Sequence, residues 1–97
     1  MKRPSSLHPE WKEAGHWLKR LREDAGLTQM ELANRLDVKY YSFISQVENG
    51  FSRVPTVKLE PWAQILGVNP AYFARCLISF YEPDLHRVLY GTKSPQL

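Results

Sequence analysis

Apolar residues recur along this chain at spacings of three and four, which is the signature of helices that bury one stripe. The first stripe is Trp11, Ala14, Leu18, Leu21 and Ala25. Pro9 suits its first helical position, Ser6 can cap it, and Gly26 suits a left-handed end. Gly15 interrupts the stripe, so the turns through Ala14 are expected to be a separate or frayed piece. A second stripe, Leu32, Ala33 and Leu36, follows at once. Thr28 stands before it as an N-cap and Glu31 completes a capping box. In "KYYSFISQVENG", Lys39 to Gly50, helical spacing puts Tyr40, Ile44 and Val47 on one face with Phe43 flanking. Ser42, Ser45, Gln46 and Asn49 fall on the other face, with Tyr41 at the border. A third helix over 40–49 is therefore expected, closed by Asn49 and Gly50.

Pro55-Thr56 opens a fourth stripe of Leu59, Trp62, Ala63 and Leu66. Pro61 is tolerated only in a first turn, so this helix begins near Lys58 or is kinked. Asn69-Pro70 starts a fifth, with Phe73, Cys76, Leu77 and Phe80 on its apolar side, and Glu82-Pro83 breaks it. "DLHRVLY" reads as a short helix with Leu85, Val88 and Leu89 on one side, or as a strand. Six apolar periods with no internal repeat predict an all-α bundle. The expected divisions are a flexible arm over 1–8, a helical domain over 9–82 and a partly disordered extension over 83–97.

The 97 residues fit one small domain whose core is moderate in size, so support from a second subunit is expected. With Cys76 as the single cysteine, an intrachain disulfide and a cysteine-pair metal site are excluded. His8, His16 and His86 lie too far apart for zinc spacing. No nucleophile elbow or phosphate loop occurs. The expectation is a protein that is not an enzyme and uses no metal or cofactor. The N-terminus has charge without an apolar stretch behind it, and no run approaches membrane-spanning length. A cytoplasmic location is expected. A formal net charge of +3 and pI ≈ 9.2 permit a nucleic-acid partner without pointing to one.

The second and third stripes carry the argument further. Two short helices joined by a tight turn, with a small residue in the first and an amide-rich outer face on the second, make a DNA-reading helix-turn-helix. "AGLTQMELANRLDV" followed by "ISQVENG" resembles the lambda-repressor-like (Cro/XRE-type) DNA-binding domains of bacteria and their phages. The resemblance runs from about Trp17 to Val68. It takes in the "GLTQ…LA…L" and "IS.VENG" blocks and the closing "LGV". The chain departs from that pattern in "DVKYY", where the connection is one residue longer and bulkier than usual.

The resemblance implies a five-helix bundle that binds double-stranded DNA as a homodimer on a near-palindromic site. It implies base-edge contacts from Ser42 and Gln46, with Tyr41 and Ser45 beside them, and phosphate contacts from Gln29 and Asn49. It also implies an ion pair between Arg22 and Glu48. From the residues themselves, an amide such as Gln46 can pair bidentately with adenine, and small serines let a helix approach the groove. Thr28 lies at a helix N-terminus that attracts phosphate, and Lys39 and Arg53 flank the reading helix. The bland alternatives are a cap for Thr28 and solvated charges for the two cations. Tyr72, Phe73, Phe80 and Tyr81 are expected to form a dimer interface or, alternatively, to cover their own core. The leading expectation is a transcriptional repressor controlled by its own concentration or by a partner. An antitoxin that binds a small toxin protein, and an interaction module without DNA contact, are the competing readings.

Overall fold

The computed structural model describes residues 9–91, so the expected arm over 1–8 and the last six residues lie outside the described residues. Among the described residues there are helices and no strands. The helices are α1 (Pro9–Asp24), α2 (Gln29–Arg35), α3 (Ser42–Glu48), α4 (Leu59–Leu66), α5 (Pro70–Tyr81) and α6 (Pro83–Tyr90). A 3₁₀ turn over Thr56–Lys58 precedes α4. It puts Pro61 inside the first turn of α4, where its missing N–H costs nothing. "DLHRVLY" is helical throughout.

The helix α1 is the post on which the rest is mounted, since it packs against α3 on one side and α5 on another. Ala14 and Leu18 are fully buried, while Trp11 and Leu21 are partly covered. Trp17, which the spacing analysis left off the stripe, stacks on Phe73 at 5.7 Å and lies 6.1 Å from Phe80. The expected break at Gly15 does not occur. A side chain there would overlap the Glu48 carbonyl and stand 2.8 Å from the Val47 carbonyl oxygen. Gly15 is the notch that lets α3 cross α1 backbone to backbone. Gly50 serves the same crossing from the other strand of chain. Its φ is +86°, and a Cβ would lie 3.0 Å from Lys12 Cα.

The helix α2 ends in a reversal at Asp37 and Val38. The Asp37 N–H donates to the Asn34 carbonyl and the Val38 N–H to the Ala33 carbonyl, the paired bonds of a Schellman closure. Asp37 takes the left-handed position at φ 61°, which aspartate tolerates better than most side chains. Val38 then turns back onto the core. The helix α3 begins only at Ser42, and Tyr40 is 64% exposed. The expectation of Tyr40 in the core is thereby corrected. Ile44 and Val47 are fully buried as their spacing requires.

The C-terminal aromatics need a second correction. Phe73 is 0% exposed and Tyr81 7%, so both belong to the core of their own chain and neither offers a surface to a second subunit. Phe80 is half-covered against Trp17. Tyr72 alone of the four is well exposed. The Tyr81 ring meets Trp11 edge-on at 5.5 Å, and its hydroxyl accepts a hydrogen bond from the Val54 N–H at 3.3 Å. A phenol was chosen here because the loop after α3 must bury that N–H.

Two predictions follow from this packing. Gly15→Ala forces the α1–α3 crossing apart and lowers the free energy of unfolding by about 3 kcal/mol, the upper range for overpacking, measured by urea titration. Burial pushes the Tyr81 hydroxyl up to about 12. The unfolded chain loses this proton near pH 10, whereas the folded chain keeps it. Stability is therefore complete below pH 10 and declines from there to about pH 12. Tyr81→Phe removes that decline, and costs about 1–3 kcal/mol at neutral pH because the Val54 N–H is left unpaired.

Candidate nucleic-acid interface

The site is built on α2 and α3, and their relation is set by a buried charge network. Glu48, at the end of α3, is 4% exposed and Arg22, near the end of α1, is 7% exposed. Arg22 Nε donates to Glu48 Oε2 at 2.6 Å and Nη2 donates to Oε1 at 3.0 Å. Its Nη1 donates to the Leu27 carbonyl at 2.8 Å, in the turn that leads into α2. Gln29 Nε2 completes the set by donating to Glu48 Oε1 at 3.0 Å. One carboxylate thus ties α1, α2 and α3 together. Hydrogen bonding to Glu48 holds the Arg22 guanidinium above its ordinary range, against the opposing pull of burial.

The entry to α2 is equally fixed. Thr28 Oγ1 accepts from the Glu31 N–H at 3.0 Å, and Glu31 Oε1 accepts from the Thr28 N–H at 2.8 Å. The Thr28 side chain is committed to this capping box. The Thr28 N–H is committed to it as well, and one amide N–H of Gln29 is committed to Glu48, so of the two residues it is Gln29 that keeps a backbone N–H and the rest of its amide for a phosphate. This pairing of Gln29 with Glu48 was not visible in sequence, because the two are nineteen positions apart and join only when α2 crosses α3.

With Ile44, Val47 and Glu48 turned inward, the opposite face of α3 stands in solvent. Ser42, Gln46 and Asn49 are exposed and Ser45 is half-buried. Tyr41, at the N-cap position, is 52% exposed. These five residues share one side of two helical turns. Asn49 Nδ2 donates to Ser45 Oγ at 3.3 Å, and the Ser52 hydroxyl donates to Gln46 Oε1 at 3.4 Å. The result is a strip of small and amide side chains between two helix ends. Lys39 is exposed in the turn, with its ammonium 5.6 Å from the centre of the Tyr40 ring. Tyr40 is exposed although periodicity assigned it to the core.

Arg53 does not stand beside this strip as a loose cation. Its guanidinium pairs with Glu82 at 3.0 Å and lies over the Tyr81 ring at 4.6 Å and the Trp11 ring at 5.9 Å. It pins the loop after α3 to the end of α5. Arg53, expected as a phosphate contact, makes these intramolecular contacts with its side chain 34% exposed.

A family model for a helix-turn-helix domain matches residues 13–75. The chain belongs to the helix-turn-helix domain family. The match begins inside α1 and ends inside α5, so it contains the whole charge network and both helices of the motif, consistent with a Cro/XRE-type domain. A search of curated proteins gives no match. Helix-turn-helix membership makes this a DNA-binding domain of the kind used in transcription regulation. No described helix is long and apolar enough to cross a membrane.

Glu48→Ala leaves Arg22 buried without its counter-charge and frees Gln29. A loss of about 3–5 kcal/mol in unfolding free energy is expected. Thermal melts across a range of temperatures below the transition, paired with binding to a selected duplex, check this. The fraction that remains folded should keep the wild-type base preference.

Proposed function

We propose that this helix-turn-helix protein represses transcription by occupying a near-palindromic operator as a homodimer, with α3 in the major groove. The observation that carries the reading is the division of α3: its inner face is completely buried and locked to two other helices, and its outer face is polar, small and exposed. A rigid helix with that outer face suits base-edge reading. Gln46 is the principal reader, through its side-chain amide on adenine. Ser42 and Ser45 keep the approach close, and Tyr41 contacts the groove edge. The backbone N–H of Gln29 at the start of α2, with Lys39 and Asn49, takes phosphates and sets the register. The chemistry needs no cofactor and the protein is read as a cytoplasmic regulator, not an enzyme.

A second reading, an antitoxin that also binds a toxin protein, is favoured by one feature, the exposed aliphatic side of α6. Co-purification with a second small protein encoded beside it separates that reading from the first.

Selection of sites from random duplex DNA tests the proposal. The wild type should enrich an inverted repeat, and affinity should fall steeply with salt. Gln46→Ala should relax one position in each half-site at a cost of about 1–3 kcal/mol. Absence of any enriched sequence refutes operator recognition.

A further inference from the structure

We propose that Ser52, in the loop after α3, is a positioning residue that holds the Gln46 side chain in its base-reading orientation and so sharpens sequence preference at one position of each half-site. The inference rests on the reading of Gln46 above and deepens it.

Backbone bonds bring the two residues together. The helix α3 ends in a Schellman closure. The Phe51 N–H donates to the Gln46 carbonyl at 2.9 Å and the Gly50 N–H to the Val47 carbonyl at 3.3 Å. Gly50 takes the left-handed position that this closure needs, at φ +86°. The Ser52 N–H donates to the same Gln46 carbonyl at 3.3 Å. The chain thus folds back over the reading residue, and Ser52 Oγ comes within 3.4 Å of Gln46 Oε1. The far side of the loop is anchored as well. Arg53 pairs with Glu82, and Val54 is buried with its N–H on the Tyr81 hydroxyl. Ser52 therefore stands between two fixed points, and its backbone leaves Gln46 only if one of them opens.

Gln46 is exposed and has three side-chain torsions. Freezing them on a base opposes binding. A hydroxyl fixed beside the amide restricts those torsions before DNA arrives, which lowers that opposition. The bond is compatible with adenine. The serine occupies one lone pair of Oε1, and the second lone pair and the Nε2 donors match the adenine N6 amino group and N7. The neighbouring Ser45 is paired in the same manner, by Asn49 Nδ2 at 3.3 Å. The strip is therefore organised as two side-chain pairs, one along α3 and one from α3 to the loop. At 3.4 Å in solvent the Ser52–Gln46 bond is a weak one, so its effect falls on discrimination and not on fold stability.

The test is equilibrium binding of the full chain to its selected duplex and to duplexes changed at the position that Gln46→Ala relaxes. Ser52→Ala, Ser52→Thr, Gln46→Ala and the double variant Ser52→Ala/Gln46→Ala are compared. Ser52→Ala should lower the preference for the selected base pair at that position by roughly two- to fivefold, the lower part of the range for one hydrogen bond. Preference at other positions, affinity for random duplex, its salt dependence and the melting temperature should not change. Ser52→Thr, which keeps the hydroxyl, should retain the preference, and Ser52→Ala should add nothing once Gln46 is alanine. Equal weakening on every duplex with a shallower salt dependence makes Ser52 a phosphate contact and overturns the inference. Full discrimination in Ser52→Ala, or an effect of Ser52→Ala that persists without Gln46, also overturns it. All three of these results leave the Gln46 reading intact. Gln46→Ala that relaxes no position overturns both.

Discussion

The carboxylate of Glu48 is the constraint on which this structure depends. It sits at the end of a seven-residue helix that could not persist alone. By accepting from Arg22 twice and from Gln29 once, it fixes α3 against helices that come from either side of the turn. A buried ion pair of this kind contributes little net stability compared with an apolar replacement, since both charges lose their water. What it supplies is geometry. An apolar contact tolerates sliding, whereas a bidentate guanidinium–carboxylate pair with its remaining donors satisfied holds one orientation.

That orientation is reinforced by steric means. Gly15 and Gly50 bring the backbone of α3 against α1 so closely that no side chain fits between them. The helix is thus held by polar bonds at its end and by backbone contact along its inner side. A reading helix benefits from such rigidity, because a bidentate base contact fails with a small error in position. The outer strip of Tyr41, Ser42, Ser45, Gln46 and Asn49 carries little that could fold back and cover it.

The C-terminal half answers a different need. In α5, Phe73, Leu77 and Tyr81 complete the core, and Arg53 clips the loop after α3 to that helix through Glu82 and two rings. A residue that looked like a DNA contact from its place beside the motif serves to hold the motif's downstream loop. The helix α6 adds no buried residue to the core and keeps Leu85, Val88 and Leu89 exposed.

The helices themselves were legible in the sequence, because helix formation is governed by neighbours: apolar spacing, the Thr28–Glu31 capping box, the Asn69-Pro70 start and the glycine ends act within a few residues. The polar side of α3 was legible for the same reason. The conditional reading of Pro61 resolved in favour of a start near Lys58. Whatever depended on distant partners was not legible. Gly15 looked like a weakness until the Glu48 carbonyl was placed against it, and Tyr40 looked like core although it precedes α3 and stands exposed. Phe73 and Tyr81 were likewise assigned by position along the chain, and what lies opposite them in space places them in the core. Local physics chose the elements, and tertiary packing chose which faces of them remain open, since burial is a property of the assembled chain and not of any one segment.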